Sequence, residues 1–319
     1  MTSCSRVLHG RNSAYADMPL GEIQGSGSGC ARQASRRQCH CGPHDSITID
    51  QRAYAESIVV EGRGSTQVRK TYTPLDPGMD PSEREEGKAE QNSSQFPYAR
   101  ILGKFMFLAG MTRPDLSNSV RDLGRWTAPP CLRHWQGLQH VLRYLAGTLG
   151  ICLRYGGRNV KTEKALVGYA DSDWANDAET RRSVTGYLLL MNKSPIAWQS
   201  KRQASLTLSS SEAECTAMIQ GMRHCIFNRG ILEEMGLPQD TTLWFCDNRG
   251  AIQAATVTGF NGRTRHVDMK LKCSRRYVEK KLFIMRYVPT SEQRADILTK
   301  RVKRSSVSDF VNSVLARWV

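Results

Sequence analysis

No stretch of this sequence approaches the ~20 consecutive apolar residues that a membrane-spanning helix needs. The best candidate, ILGKFMFLAGM (101–111), is interrupted by Lys104, so no membrane partner is expected. The chain also lacks a cysteine framework. Its ten cysteines follow no regular spacing, several of them (Cys152, Cys225, Cys246) lie within apolar segments, and no signal peptide precedes them. This argues against a disulfide-stapled secreted scaffold and for reduced thiols in an intracellular protein. Cys39 and Cys41, with His40 and His44, are spaced C-x-C with no second pair, which does not fit the usual zinc modules. Acidic residues are scarce relative to basic ones: 30 against 45, for a net charge of +15 and a pI of about 9.6. Such a balance points to a polyanionic partner, most simply nucleic acid. The competing reading puts the excess in disordered ends, where Arg32, Arg36, Arg37, Lys300, Arg301, Lys303 and Arg304 lie.

Along the chain, residues 1–45 are rich in Ser, Gly and Arg and have no sustained period, as expected of a disordered or unrelated leader. From Ser46 a pattern begins. In ITIDQRAYAESIVV, Asp50 is placed to cap a helix whose apolar face carries Tyr54, Ile58 and Val59. A loop is expected over 75–95. Three helices follow, at about 97–110, 114–126 and 132–146, with apolar residues at helical spacing. GICLRYGG (150–157) reads as a strand and a turn. These stripes are core positions and carry no chemistry. Residues 46–157 therefore form one helical region, 158–302 a second domain, and 303–319 a basic tail or helix.

The second domain holds the chemistry. The apolar run ALVGY (165–169) reads as a buried strand that ends on Asp171. Strands at 183–191 and 194–200 follow, then a helix opening on SSSEAEC that carries Glu214. The strand TLWFC (242–246) ends directly on Asp247, a basic helix is expected near 264–281, and FIMRYVP (283–289) leads to a short helical segment with Asp296. The four carboxylates Asp171, Glu214, Asp247 and Asp296 thus sit at or near element ends. Crowded carboxylates repel one another and raise each other's pKa, and a divalent cation removes that penalty. Hydrolysis of a phosphodiester by two hard cations needs oxygen ligands of this kind. Asp also ends strands as a plain turn residue, which is the reading for Asp173, Asp177 and Asp240. The spacing alone does not separate a nuclease from other phosphoryl-transfer folds.

The residues also carry a family resemblance. YADSDWANDAETRRSVTGYLLLMNKSPIAWQSKRQASLTLSSSEAECTAM, LWFCDNRGAI, GRTRHVDMKL and YVPTSEQRADILTK are similar to the ribonuclease H region of copia-type LTR retrotransposon Pol polyproteins. YARILGKFMFLAGMTRPDLSNSV and HWQGLQHVLRYLAGT resemble the C-terminal end of the reverse transcriptase in the same polyproteins. The resemblance implies an α/β, ribonuclease H-like mixed five-stranded sheet with flanking helices, preceded by a small, mostly helical thumb or connection remnant. It implies an endonuclease that cuts the RNA strand of an RNA:DNA hybrid with Mg2+, or with Mn2+ in its place. The family's metal ligands fall on Asp171, Glu214, Asp247 and Asp296, with Glu212 the rival of Glu214. Ser209, Ser210, Ser211, Asn248, Arg249 and Arg265 are the substrate-binding candidates, although Ser209–211 also suit plain helix capping.

The chain departs from the family at several positions. Arg249 stands where a Gln is usual, Cys215 replaces the aromatic after the second acid, and the loop YVPTSEQRAD has no His. His224 and His266 read as structural. No Asp-Asp pair occurs anywhere, so the YxDD element of a reverse transcriptase is missing and the chain is expected to be a polyprotein fragment that works with an upstream polymerase. A catalytically silent hybrid-binding fragment and a DDE-type transposase or integrase core remain as alternatives. The fourth acid, and Glu in second place, speak against the latter.

Overall fold

The computed structural model describes residues 37–42, 46–63, 69–81, 97–127, 130–156, 166–175, 180–256 and 265–317. Residues 34–319 form one compact unit. Strands β1 (Gln38–Cys41) and β2 (Ile47–Asp50) lead into helix α1 (Arg52–Arg63). The Asp50 carboxylate accepts the Arg52 N–H at 2.8 Å, which is the capping expected of it. Helices α2 (Tyr98–Met111), α3 (Ser117–Leu123) and α4 (Leu132–Gly147) follow, then β3 (Ile151–Tyr155).

The second half contains β4 (Leu166–Asp173), β5 (Val184–Met191), β6 (Ser194–Arg202), α5 (Ser210–Glu234), β7 (Thr242–Cys246), α6 (Arg249–Thr256), α7 (Arg265–Glu279) and β8 (Phe283–Tyr287). Helix α8 (Arg304–Val314) and the short β9 (Ala316–Arg317) end it.

Two readings change here. The leader includes β1, which pairs antiparallel with β2; its residues 1–36 and 43–45 lie outside the described residues, as do residues 82–95 of the expected loop. The 46–157 region contains a sheet as well as helices. Its four-stranded order is β1-β2-β3-β9, so the chain's last strand closes onto β3. The segment 303–319, expected as a basic tail or helix, contains the helix α8. Val307, Phe310, Val311 and Val314 fall at helical spacing on one face of α8 and are buried. Burying that stripe against the core outweighs the pull of the basic residues toward solvent.

The second sheet runs β6-β5-β4-β7-β8. β5 is antiparallel to both β4 and β6, whereas β4–β7 and β7–β8 are parallel. Both faces are covered. Along β5, Tyr187 and Leu189 join the core under α5, α6 and α7, while Leu188 and Leu190 join the core shared with α2, α4 and α8. Period-two alternation puts successive residues on opposite faces, which is why this strand reads as an unbroken apolar run.

Two glycines let α5 approach the sheet. A Cβ on Gly168 would lie 2.2 Å from the Trp244 ring, and one on Gly221 would lie 2.7 Å from it. The fully buried Trp244 therefore fits only because both positions lack a side chain.

In the helical half, Arg113 and Asp115 are buried together. The guanidinium donates to Asp115 at 2.9 and 2.7 Å and to Thr148 at 3.1 and 2.8 Å, while the Tyr144 hydroxyl donates to Asp115 at 2.9 Å.

Candidate active site

Strand β4 carries Asp171 opposite Gly186 of β5. A Cβ at Gly186 would meet the Thr299 methyl at 2.6 Å, so the glycine admits the segment that follows β8. Gln293 anchors that segment by donating its side-chain N–H to the Ala170 carbonyl at 2.9 Å. The anchored turn presents Asp296, and the Thr299 hydroxyl donates to Asp171. β7 runs parallel to β4 and delivers Asp247, whose carboxylate accepts the Thr290 hydroxyl at 2.8 Å. One carboxylate oxygen from each of Asp171, Asp247 and Asp296 lies within 4.8 Å of the others. Glu214, on the first turns of α5, brings an oxygen within 4.8 Å of Asp247 and of the Cys246 sulfur.

Local structure separates Glu214 from Glu212. Ser209 caps α5 by accepting the Glu212 N–H at 3.2 Å, and the Glu212 carboxylate reaches back to the Leu208 N–H at 2.9 Å. This is a reciprocal capping arrangement that turns Glu212 outward. Glu214, two residues on, falls on the buried side at 6% exposure.

The cluster is electrostatically unbalanced. Burial, opposed by Lys300 and reinforced by Asp296 and Asp247, pushes the Asp171 carboxyl up to about 7. Burial, with Asp171 and Asp247 nearby, pushes Glu214 up to about 9. Asp296 is raised too, mainly by burial. One cation faces them: Lys300 Nζ stands 2.8 Å from Asp296 Oδ1 and 3.5 Å from Asp171 Oδ1. Burial pulls its ammonium down, but the two aspartates outweigh burial and raise it.

A set of oxygen donors this close together, buried and with a surplus of negative charge, fits a hard divalent cation. Cys246 does not fit such an ion. Burial and Glu214 raise its thiol, and hard cations take oxygen ligands.

The remaining candidates are distributed around this centre. Ser209 and Ser210 are exposed at the start of α5. Ser211 contacts the Asn248 side-chain oxygen at 3.5 Å, and that oxygen also accepts the Ala251 N–H at 2.9 Å, capping α6. Arg249 lies with its guanidinium 4.3 Å from the centroid of the Tyr287 ring, a cation–π contact. The side chains of Arg265 and His266 lie outside the described residues, as does Asp177. His224 stacks on Tyr187. Helix α6 was not expected from the sequence, because its eight residues are too few to display a period clearly. Thr290, Gln293, Thr299 and Lys300 were not anticipated either. The one available signal was Lys300 four residues after Asp296, a spacing at which opposite charges meet on a helical turn.

No family model matches the chain. The Pol polyprotein of transposon TNT 1-94 from Nicotiana tabacum is 35% identical over 214 residues, 67% of this chain and 16% of that protein. The Pol polyprotein of transposon RE2 from Arabidopsis thaliana is 33% identical over 220 residues, 68% of this chain and 15% of that protein. The chain belongs to the retrovirus-related Pol polyproteins of retrotransposons. It spans about a sixth of the length of the Pol polyproteins it matches. Among solved structures, LC11-RNase H1 isolated from compost is similar at 14% identity, over 46% of this chain and 97% of that one, with a TM-score of 0.34. In this Pol segment the five-stranded sheet is mixed, with strands ordered β6-β5-β4-β7-β8 and helices packed on it. No helix among the described residues is long and apolar enough to cross a membrane.

Proposed function

We propose that this Pol segment is an endoribonuclease that cleaves the RNA strand of an RNA:DNA hybrid, with Mg2+ or Mn2+ held by Asp171, Glu214, Asp247 and Asp296. The observation that carries this reading is that, among the described residues, Asp171, Asp247 and Asp296 bring oxygens within 4.8 Å of one another and Glu214 brings one as close to Asp247, with the Lys300 ammonium against Asp171 and Asp296. Two such ions, when bound, supply an activated water and neutralise charge on the entering and leaving oxygens.

The chain's own residues do the rest. Thr299 and Thr290 orient Asp171 and Asp247 by hydrogen bonding to them, and Gln293 holds the turn that carries Asp296. Ser209, Ser210 and Ser211 lie at the start of α5, where free N–H groups and hydroxyls suit a phosphate or a minor groove. Asn248 and Arg249 extend that surface, and Arg265 is assigned to the same substrate by the family resemblance alone. On α7, Lys272 and Arg276 are exposed and available to a phosphate backbone. Arg275 is not, because it is buried and donates to the Ala254 carbonyl at 3.0 Å. A reverse transcriptase of the same polyprotein is the natural protein partner, and the reaction would take place inside the cell, in the cytoplasm, a virus-like particle or the nucleus.

The test is incubation of the full chain with an RNA:DNA hybrid and, in parallel, with duplex DNA in Mg2+. Cleavage of the hybrid's RNA strand alone is the expected result. An inert hybrid in the presence of Mg2+ and Mn2+ would leave the catalytically silent binding fragment as the better reading.

A further inference from the structure

We infer that Lys300 is a tethered counter-cation that occupies part of the divalent-ion site and is displaced when an ion binds. The inference rests on the proposed metal site and adds a competitor to it.

The Lys300 ammonium touches Asp296 at 2.8 Å and approaches Asp171 at 3.5 Å. These two residues also belong to the three aspartates whose oxygens lie within 4.8 Å of one another. An ammonium and a divalent ion cannot share these oxygens. Mg2+ takes carboxylate oxygens at about 2.0–2.1 Å, which would put two like charges in near contact in a partly desolvated place, where repulsion is strong.

The side chain is built to leave. Lys300 keeps 35% of its side chain exposed, whereas Asp171 keeps 1%. The aspartate is fixed by the Thr299 hydroxyl, while the lysine hangs on a flexible four-carbon stem with a route to water. The ligands are therefore held and the lysine is free to withdraw. In the metal-free state Lys300 partly neutralises Asp171 and Asp296 and keeps the turn bearing Asp296 folded against β4. The same charge weakens ion binding, because each ion that enters must break the lysine's contacts.

A structural ion pair that stays in place predicts something different: its loss would lower stability equally with and without the ion and leave ion affinity unchanged. The experiment is titration of Mn2+ alone into the metal-free full chain by calorimetry, with no nucleic acid present, for wild type, Lys300→Met and Lys300→Arg. Melting temperatures with and without Mn2+ are measured alongside.

We expect Lys300→Met to melt lower without the ion, to bind Mn2+ about tenfold more tightly, and to be stabilised more than wild type by saturating Mn2+. Lys300→Arg, which keeps the charge and folds with its pairs intact, should return toward wild-type affinity. Unchanged or weaker Mn2+ affinity in Lys300→Met overturns the inference and leaves the proposed nuclease standing. So does tighter binding in Lys300→Arg to the same degree as in Lys300→Met, because the charge would then be irrelevant. If Lys300→Met does not fold, the comparison of wild type with Lys300→Arg and Lys300→Gln decides on the same criteria. Absence of Mn2+ binding by the wild-type chain would overturn both this inference and the proposed metal site.

Discussion

Two of the molecule's buried charge clusters are built on opposite plans. Around Arg113, each charge has an answering partner. The guanidinium and the Asp115 carboxylate are 2% and 0% exposed and pair along two edges, with Tyr144 and Thr148 taking up further hydrogen bonds. Around Asp171, Lys300 answers Asp171 and Asp296 while Asp247 and Glu214 add further negative charge nearby, and Asp171 and Glu214 are pushed up to about 7 and about 9. A buried group without a partner is costly, so a balanced cluster can serve as framework, whereas an unbalanced one makes sense when something from outside completes it. Burial of charge alone thus says little about function, and the sign of the remainder says more.

The comparison can be broken at either end. The largest effect is expected at Asp247. Asp247→Asn keeps the shape and removes one negative charge. Hybrid cleavage should fall by about a hundredfold or more, and Mn2+ affinity with it, while hybrid binding without divalent ions holds or improves because a repulsive charge is gone. Wild-type cleavage by this variant in Mg2+ would reduce Asp247 to a turn residue.

At the balanced cluster, Arg113→Met strands a buried carboxylate and should cost about 3–5 kcal/mol in a denaturant titration. Mn2+ affinity should not change. The double variant Arg113→Met with Asp115→Leu should recover part of the loss, since no buried charge is left alone. A stability change at Arg113 that carried ion affinity with it would mean that the two clusters are coupled.

Next comes pH. The folded-state values of Asp171 and Glu214 lie above their ordinary values. Each group therefore contributes stability that is complete below its unfolded pKa, near 4, and is lost as pH rises through about 7 and about 9 respectively. The metal-free chain should become less stable from pH 5 to pH 9, while Mn2+ should stabilise it more at the upper end, where protons no longer compete for the carboxylates. A flat thermal-melt profile in the absence of metal would contradict the imbalance.

A smaller effect separates the two neighbouring glutamates. Glu212→Ala removes the acceptor of the Leu208 N–H, a hydrogen bond of about 1 kcal/mol, and should cleave and bind Mn2+ as wild type does. Glu214→Gln should fail at both. Equal behaviour of the two variants would undo the distinction that capping makes between them. The smallest effect is at Arg249, whose guanidinium lies on Tyr287 at the rim. Arg249→Gln should flatten the salt dependence of hybrid binding by about one phosphate. An unchanged slope would mean that this cation is confined to the ring.

The sequence by itself determined the succession of strands and helices from Leu166 onward, apart from α6, and the positions of the acids at element ends. Period-two and helical spacing are local properties, and a carboxylate after an apolar strand is visible without knowing its neighbours. The net charge of +15 points toward a polyanionic partner. The tertiary structure decided which charges meet. Gly186 leaves room for the turn bearing Thr299 to reach Asp171, which places Lys300 against Asp171 and Asp296. The stripe on α8 and the pairing of β9 with β3 likewise draw the basic C-terminal end into the core of residues 46–157. Contacts between β4 and Lys300, or between β3 and β9, span more than a hundred residues, and their geometry is set by packing that no local pattern encodes.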